Sequence, residues 1–186
     1  MDIVIVIESS SLLSSSDFQN LLTYTTKFFQ AEVFSKNDVK FAVISFAKTS
    51  KVEISLTTPG TNLVNKIKAI QQTNEKNVEI HTALQKAESL LKQNGGQSRR
   101  RVIITVSKNP STVQMALVRN TALQVQNNEI QIIPVIIGNA MAHEGLVLAS
   151  RPKAINKINY KDTNDLKNSQ TESLSSTILR GKTQGF

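Results

Sequence analysis

The sequence contains no cysteine and no tryptophan. A disulfide framework and a thiolate metal site are therefore excluded. Aromatic residues make up only 5% of the chain, too few to build the stacking platforms on which single-stranded nucleic acids are bound. There are seven glycines, and none precedes Gly60. The G-x-G-x-x-G turn of a dinucleotide site is thus missing after the first strand, and Gly95-Gly96 lacks the following G-K-S/T of a phosphate loop. No apolar run approaches the ~20 residues of a membrane helix. The start has no basic segment with an apolar stretch behind it, so it does not read as a signal peptide. Only two histidines occur, His81 and His143, and no G-x-S-x-G elbow accompanies them. These absences leave no catalytic constellation and no cofactor motif, and the chain is read as non-enzymatic.

What is present is a chain of 186 residues and 20.5 kDa, long enough to bury a core without covalent staples. Its charge is uneven. Up to Ser98 there are 10 basic and 9 acidic residues, and from Arg99 onward 12 basic and 5 acidic, so the net +8 divides as +1 and +7. A basic half points to an anionic partner, against the plainer reading of lysines scattered over solvated faces.

Apolar patterning sets out the elements. Ile3 to Ile7 is a continuous apolar run, as in a strand covered on both faces. Ser14 with Asp17 reads as a capping box, followed by Phe18, Leu21, Leu22, Phe28 and Phe29 at helical spacing. Val39 to Phe46 is the next strand, and the alternating Lys51 to Leu56 its hairpin partner at the sheet edge. Helices are expected over Leu63 to Ile70 and Val78 to Leu91, the latter stopped at Gly95-Gly96. Val102 to Val106 and Ile130 to Ile137 are further buried strands. Between them, Pro110 to Gln126 is expected to be helical, with proline in its first turn. Met141 to Ser150 is a short helix, Ala154 to Tyr160 a weak strand and Asn164 to Leu179 a last helix. Residues 1–180 form one expected domain, and 181–186 a frayed tail. Strands alternating with helices predict an α/β, doubly wound, mostly parallel sheet with one antiparallel edge strand and helices on both faces. Ligands of such sheets sit at the carboxyl ends of the strands, which places Glu8, Val106 and Gly138 on one rim.

The opening stretch, "DIVIVIESSSLLSSSDF", resembles the first strand and loop of a von Willebrand factor type A domain, where D-x-S-x-S follows the strand. "VKFAVISFAKTSKVEISL" is similar to that family's second and third strands. "HTALQKAESLL" resembles its T-x-T-G-x-A-L helix, and "RRRVIITVSKNPS" stands where the family has a strand ending in T-D-G. "IQIIPVIIGNAMAHEGLVLAS" resembles the closing segments, above all those of collagen-VI-type matrix members. The likeness spans residues 2 to 180.

The resemblance implies a Rossmann-like fold and a rim that, in the family, holds magnesium in a metal-ion-dependent adhesion site. Its ligands there are an Asp, two Ser, a Thr and a second Asp. Carried over residue by residue, these fall on Glu8, Ser10, Leu12, Val78 and Val106. Three oxygen positions become hydrocarbon, and Glu8 is a methylene longer than the Asp it replaces. Mg²⁺ demands about six oxygens in near-octahedral array at about 2.0–2.1 Å, so the site is read as degenerate and without metal. A shifted register, with Ser11, Ser14 and Thr82 as ligands, fits poorly because Ser14 caps a helix and Thr82 lies inside one. Glu8 is then a buried structural anion, expected to take donors from the serine loop and the following helix start.

Arg99, Arg100 and Arg101 form the sharpest charge cluster. It is expected at the opposite end of the sheet, either as a contact for a sulfated glycan or acidic partner or as a solvated strand entry. The function implied is a protein-protein interaction and adhesion module of an extracellular matrix or cell-surface protein, a fragment of a longer chain, binding a protein partner without metal and neither nucleic acid nor membrane. The alternatives are a spacer packed against neighbouring A domains, and an intracellular scaffold.

Overall fold

The computed structural model describes residues 1–30, 38–96, 98–169, 176 and 178. β1, Asp2–Glu8, is buried along its whole length. Its side chains alternate between two hydrophobic layers, as the two-residue period of a strand requires. Ile3, Ile5 and Ile7 enter one cluster, and Val4 and Val6 the other. α1, Ser15–Gln30, follows. Ser14 Oγ accepts the Asp17 N–H at 3.1 Å, so the expected cap is formed. β2, Lys40–Phe46, lies parallel to β1, and β3, Ser50–Thr57, folds back antiparallel to β2. The remaining elements are α2, Thr61–Lys68; α3, Ile80–Asn94; β4, Arg101–Ser107; α4, Met115–Asn127; β5, Ile130–Ile137; a 3₁₀ turn, Asn139–Met141; α5, Ala142–Leu148; β6, Ile158–Tyr160; and α6, Thr163–Asn168.

The six strands are ordered β3-β2-β1-β4-β5-β6, and β3 alone runs antiparallel to its neighbour. This is the expected doubly wound sheet. The chain winds one way from β1 to β2 and the other way from β1 to β4, so the switch point lies between the carboxyl ends of β1 and β4. The cluster on one face gathers Phe18, Leu22 and Phe28 of α1, Leu63 and Ile67 of α2 and Leu166 of α6. The cluster on the other gathers Leu84 and Leu91 of α3, Val118 and Val125 of α4 and Leu148 of α5.

Several element boundaries depart from the sequence reading, each for a local reason. The helix expected over Pro110 to Gln126 starts only at Met115. The preceding residues direct their polar groups to distant partners instead of into a helical turn. Ser111 N–H donates to Glu144 at 2.8 Å, and Thr112 N–H to the Val78 carbonyl at 2.8 Å. Val78 itself precedes α3, because its own N–H donates to Thr112 Oγ1 at 3.2 Å. The strand expected from Ala154 begins at Ile158. The Ile155 and Asn156 N–H groups both donate to the Pro152 carbonyl, which makes the earlier part a turn. The last helix stops at Asn168, where Ser169 turns extended. Ser176 and Ile178 are helical again, and the rest of that segment, with 181–186, lies outside the described residues. α3 stops before glycine as expected, though Gly95 is extended, not left-handed. The residue is small for want of space: a Cβ there would sit 2.3 Å from the Leu91 carbonyl oxygen.

Candidate functional site

The switch-point crevice is closed by Glu8. This side chain ends β1 with no exposure to solvent, and an ionised carboxylate there needs hydrogen-bond partners. It has five. Oε1 accepts from Ser10 Oγ at 2.6 Å and Asn109 Nδ2 at 2.8 Å. Oε2 accepts from Ser107 Oγ at 2.9 Å and from the main-chain N–H groups of Lys108 at 2.9 Å and Asn109 at 3.0 Å. A carboxylate offers about four lone-pair positions, so none is left open.

These donors differ from those expected. The serine loop contributes only Ser10, and the helix start contributes nothing. Both main-chain donors come from the turn after β4, which parallel pairing of β1 with β4 brings beside Glu8. Three polar residues directly behind the apolar run "VIITV" are the sequence signal for this turn.

Of the rim residues carried over by resemblance, the structure brings only Glu8 and Ser10 together. Leu12 lies on the loop surface and is 49% exposed. Val78 and Val106 are fully buried, in opposite hydrophobic layers. Val106 stops one residue short of the rim, and Ser107, Lys108 and Asn109 are the residues that reach it.

Lys108 adds a cation fixed to the chain. Its ammonium donates to Asp17 Oδ2 at 2.7 Å, tying the end of β4 to the start of α1. Asp17 Oδ1 accepts from Thr163 Oγ1, and Oδ2 also accepts from Ser14 Oγ at 2.8 Å. Burial pushes the Asp17 carboxyl upward, but the hydrogen bonds from Lys108, Thr163 and Ser14 outweigh it and hold the group at about 2. Deeper in the rim, Glu144 is 1% exposed and accepts from the Ser111 N–H and hydroxyl. Burial raises its pKa above the usual carboxylate value. The Ser111 donors pull it back in part, and the negative charge of Glu8 adds to the rise.

A divalent cation needs several oxygens with lone pairs to give. Here the lone pairs of Glu8 are filled by N–H and O–H groups, and the neighbouring charge is an ammonium. The residues of this rim do not fit such an ion. Among the described residues, no group of three or more His, Asp or Glu side chains is gathered where it could hold one.

At the opposite end of the sheet, Arg101 pairs in register with Asp2. Arg99 Nε donates to Asp2 Oδ1 at 2.6 Å, and the other guanidinium nitrogens donate to Asp38 and to the Met1 carbonyl. Arg100 donates to the Ile178 carbonyl and to Gln131. Asp2 and Asp38, joined by carbonyl and amide oxygens, thus satisfy two of the three guanidiniums. Arg101 is half-buried, with its Nε unpartnered. The two histidines lie in the first turns of α3 and α5; His81 Nδ1 is buried without a partner.

A sequence model of the von Willebrand factor type A domain matches residues 2–172. No curated protein sequence matches the chain. Among solved structures, proximal thread matrix protein 1 from the mussel byssus superimposes with a TM-score of 0.81 at 15% identity, covering 93% of this chain and 46% of that one. The same mussel protein is also known with a zinc-occupied adhesion-site motif, at 16% identity. The conserved hypothetical protein BatB from Bacteroides thetaiotaomicron gives 0.77 at 12% identity, covering 98% of this chain and 99% of that one. The SpRpn10 VWA domain gives 0.72 at 15%, covering 89% and 92%. At these identities the likeness is one of fold. The chain spans about half the length of the mussel protein.

Proposed function

From the premise that the chain belongs to the von Willebrand factor type A family, we propose that it is a non-enzymatic protein-protein interaction module that binds without a metal ion. Domains of this family act generally as interaction modules. The observation that carries metal independence is the saturation of Glu8 by five donors. A ligand that needed a cation at this rim would have to displace these donors before the Glu8 carboxylate could hold one. The setting we propose is an extracellular matrix or cell-surface protein. Its support is the fold shared with a byssal matrix protein and the likeness of the closing segments to collagen-VI-type domains.

A second reading has its own observation. The mussel protein is about twice as long as this chain, and a domain in such a chain can serve as a spacer packed on its neighbours. The partner is then an adjoining A domain. A sulfated glycan is a further partner class. It would have to compete with Asp2 and Asp38 for Arg99, which leaves Arg101 as the half-buried remainder of the cluster.

Solid-phase binding of the protein to immobilised matrix components, with and without EDTA, tests the proposal. Saturable binding that is indifferent to chelator is the expected result. Binding abolished by EDTA and restored by Mg²⁺ would overturn metal independence. Absence of binding to every component would favour the spacer.

A further inference from the structure

A second polar feature lies on the β3 side of the rim, apart from Glu8. It is a cleft of about 260 Å³ between the β2–β3 hairpin and the segment after α2. Its shape depends on an irregularity in β3. Val43 pairs with Ile54 and Ile44 with Val52, so Glu53 is an extra residue with no partner opposite. A bulge of this kind re-aims a side chain. Here it turns the Glu53 carboxylate into the cleft, where Oε1 accepts from the buried Ser45 hydroxyl at 2.7 Å.

The hydrogen-bond inventory of the cleft leans to acceptors; the exceptions are the Lys51 ammonium and the second Nε2 hydrogen of Gln71, whose first goes to the Ala69 carbonyl at 2.9 Å. A hydroxyl has one hydrogen to donate and two lone pairs to offer. Ser9 Oγ donates to the Phe46 carbonyl, Thr73 Oγ1 to the Ser9 carbonyl, and Ser45 to Glu53. Gln72 Nε2 gives both its hydrogens to the Ser10 and Leu13 carbonyls. What these groups still offer is therefore acceptors, converging on a carboxylate that is 13% exposed. The one resident cation is Lys51, which reaches Glu53 Oε2 at 2.8 Å but is 75% exposed. Ion pairs so exposed stabilise by only about 0–1 kcal/mol, so Lys51 can yield its place.

We propose that this cleft is a docking socket for the guanidinium of an arginine on a partner protein. Guanidinium has five donors in a planar fork and no acceptor, the complement of a carboxylate ringed by hydroxyl and amide oxygens. A divalent cation suits the cleft less well, since a single carboxylate is a poor charge match for it. A protein-borne arginine is favoured over a free one because β3 is the outermost strand of the sheet. Among the described residues no strand pairs with its outer edge, where an extended segment could add and carry the side chain in. The socket does not depend on how the Glu8 rim functions.

The test is ¹H–¹⁵N NMR titration of the protein with an extended arginine-containing hexapeptide and with N-acetyl-L-arginine amide. The expected result is saturable shifts at Thr49, Lys51, Glu53, Gln71 and Thr73, with the peptide binding the tighter and also moving β3 amides. Lys51→Ala, which removes the competing ammonium, should tighten binding several-fold. Glu53→Gln should weaken it at least tenfold, with the rest of the spectrum unchanged. The proposal is overturned by shifts that do not saturate in Lys51→Ala, by equal binding in Glu53→Gln, by binding of the amide but not the peptide, or by the same residues responding to CaCl₂ but not to arginine.

Discussion

Replacing Glu8 by alanine removes the acceptor for five donors at once. Three are side chains with somewhere else to turn: Ser107 Oγ also reaches the Asn109 carbonyl at 2.9 Å, and Ser10 and Asn109 can rotate. The N–H groups of Lys108 and Asn109 cannot rotate, because the chain that carries them leaves β4 in a fixed direction. Each buried main-chain donor left without an acceptor costs about 1–3 kcal/mol, so two give about 4 kcal/mol. That is a large part of the 5–15 kcal/mol typical of a whole domain. Glu8→Gln keeps the volume and one carbonyl oxygen but sets an NH₂ against facing donors, and should lose about 2 kcal/mol. Urea denaturation at pH 7, followed by circular dichroism, reads both through the midpoint at unchanged m-value. A Glu8→Ala loss below about 0.5 kcal/mol, the range of ordinary surface changes, would refute the reasoning. The carboxylate would then be dispensable to the fold, and its conspicuous placement would need a ligand to explain it.

Further outcomes are expected. Thermal melts in Mg²⁺ or Mn²⁺ against EDTA should coincide, whereas binding at 100 times a dissociation constant would stabilise by about 2.7 kcal/mol. Asp17 has a folded pKa of about 2, below its unfolded value. Its contribution is therefore present above pH 4 and lost as pH falls from 4 to 2. The stability gap between wild type and Asp17→Asn should shrink over that window by at most about 2 kcal/mol. Glu144 is shifted the other way, so its ionisation opposes folding. Glu144→Gln should compare more favourably with wild type at pH 7 than at pH 4 in urea midpoints. Arg99→Ala leaves the fully buried Asp2 side chain, among the described residues, with only the Gly96 N–H at 3.1 Å, and should destabilise by about 3 kcal/mol. An unchanged melting temperature would mean that Arg99 is merely solvated.

The sheet was legible because its strands are continuous apolar runs, which only burial on both faces explains. Ile3 to Ile7 and Ile130 to Ile137 could hardly be anything else. The helix starts were less legible where tertiary hydrogen bonds override local signals. Pro110 suggests a first turn, but Ser111 and Thr112 are held by Glu144 and Val78, 33 and 34 residues away in sequence. The same limit applied to the rim. A carboxylate ending a buried strand announces a need for donors, and Ser10 lies close enough in sequence to be found. Ser107, Lys108 and Asn109 are 99 to 101 residues from Glu8, and only the parallel register of β1 and β4 brings them there. The family pattern places a ligand at Val106, inside the strand, and so misses the strand end at Ser107 and the turn that begins at Lys108. The pairing of Arg99 with Asp2 is hidden from the sequence for a similar reason, since the two are neighbours only through the same register.

The turn between β4 and α4 is fastened at three separate places: to Glu8 through residues 107–109, to Glu144 through Ser111, and to Val78 through Thr112. Little freedom remains there to be frozen when another molecule arrives. Each rotamer-rich side chain immobilised on association costs about 0.5–1.5 kcal/mol, and most of that ordering has already happened during folding. A partner that docked here would meet a preformed mould. Its affinities should vary among variants chiefly through dissociation rates, with association left to diffusion and charge.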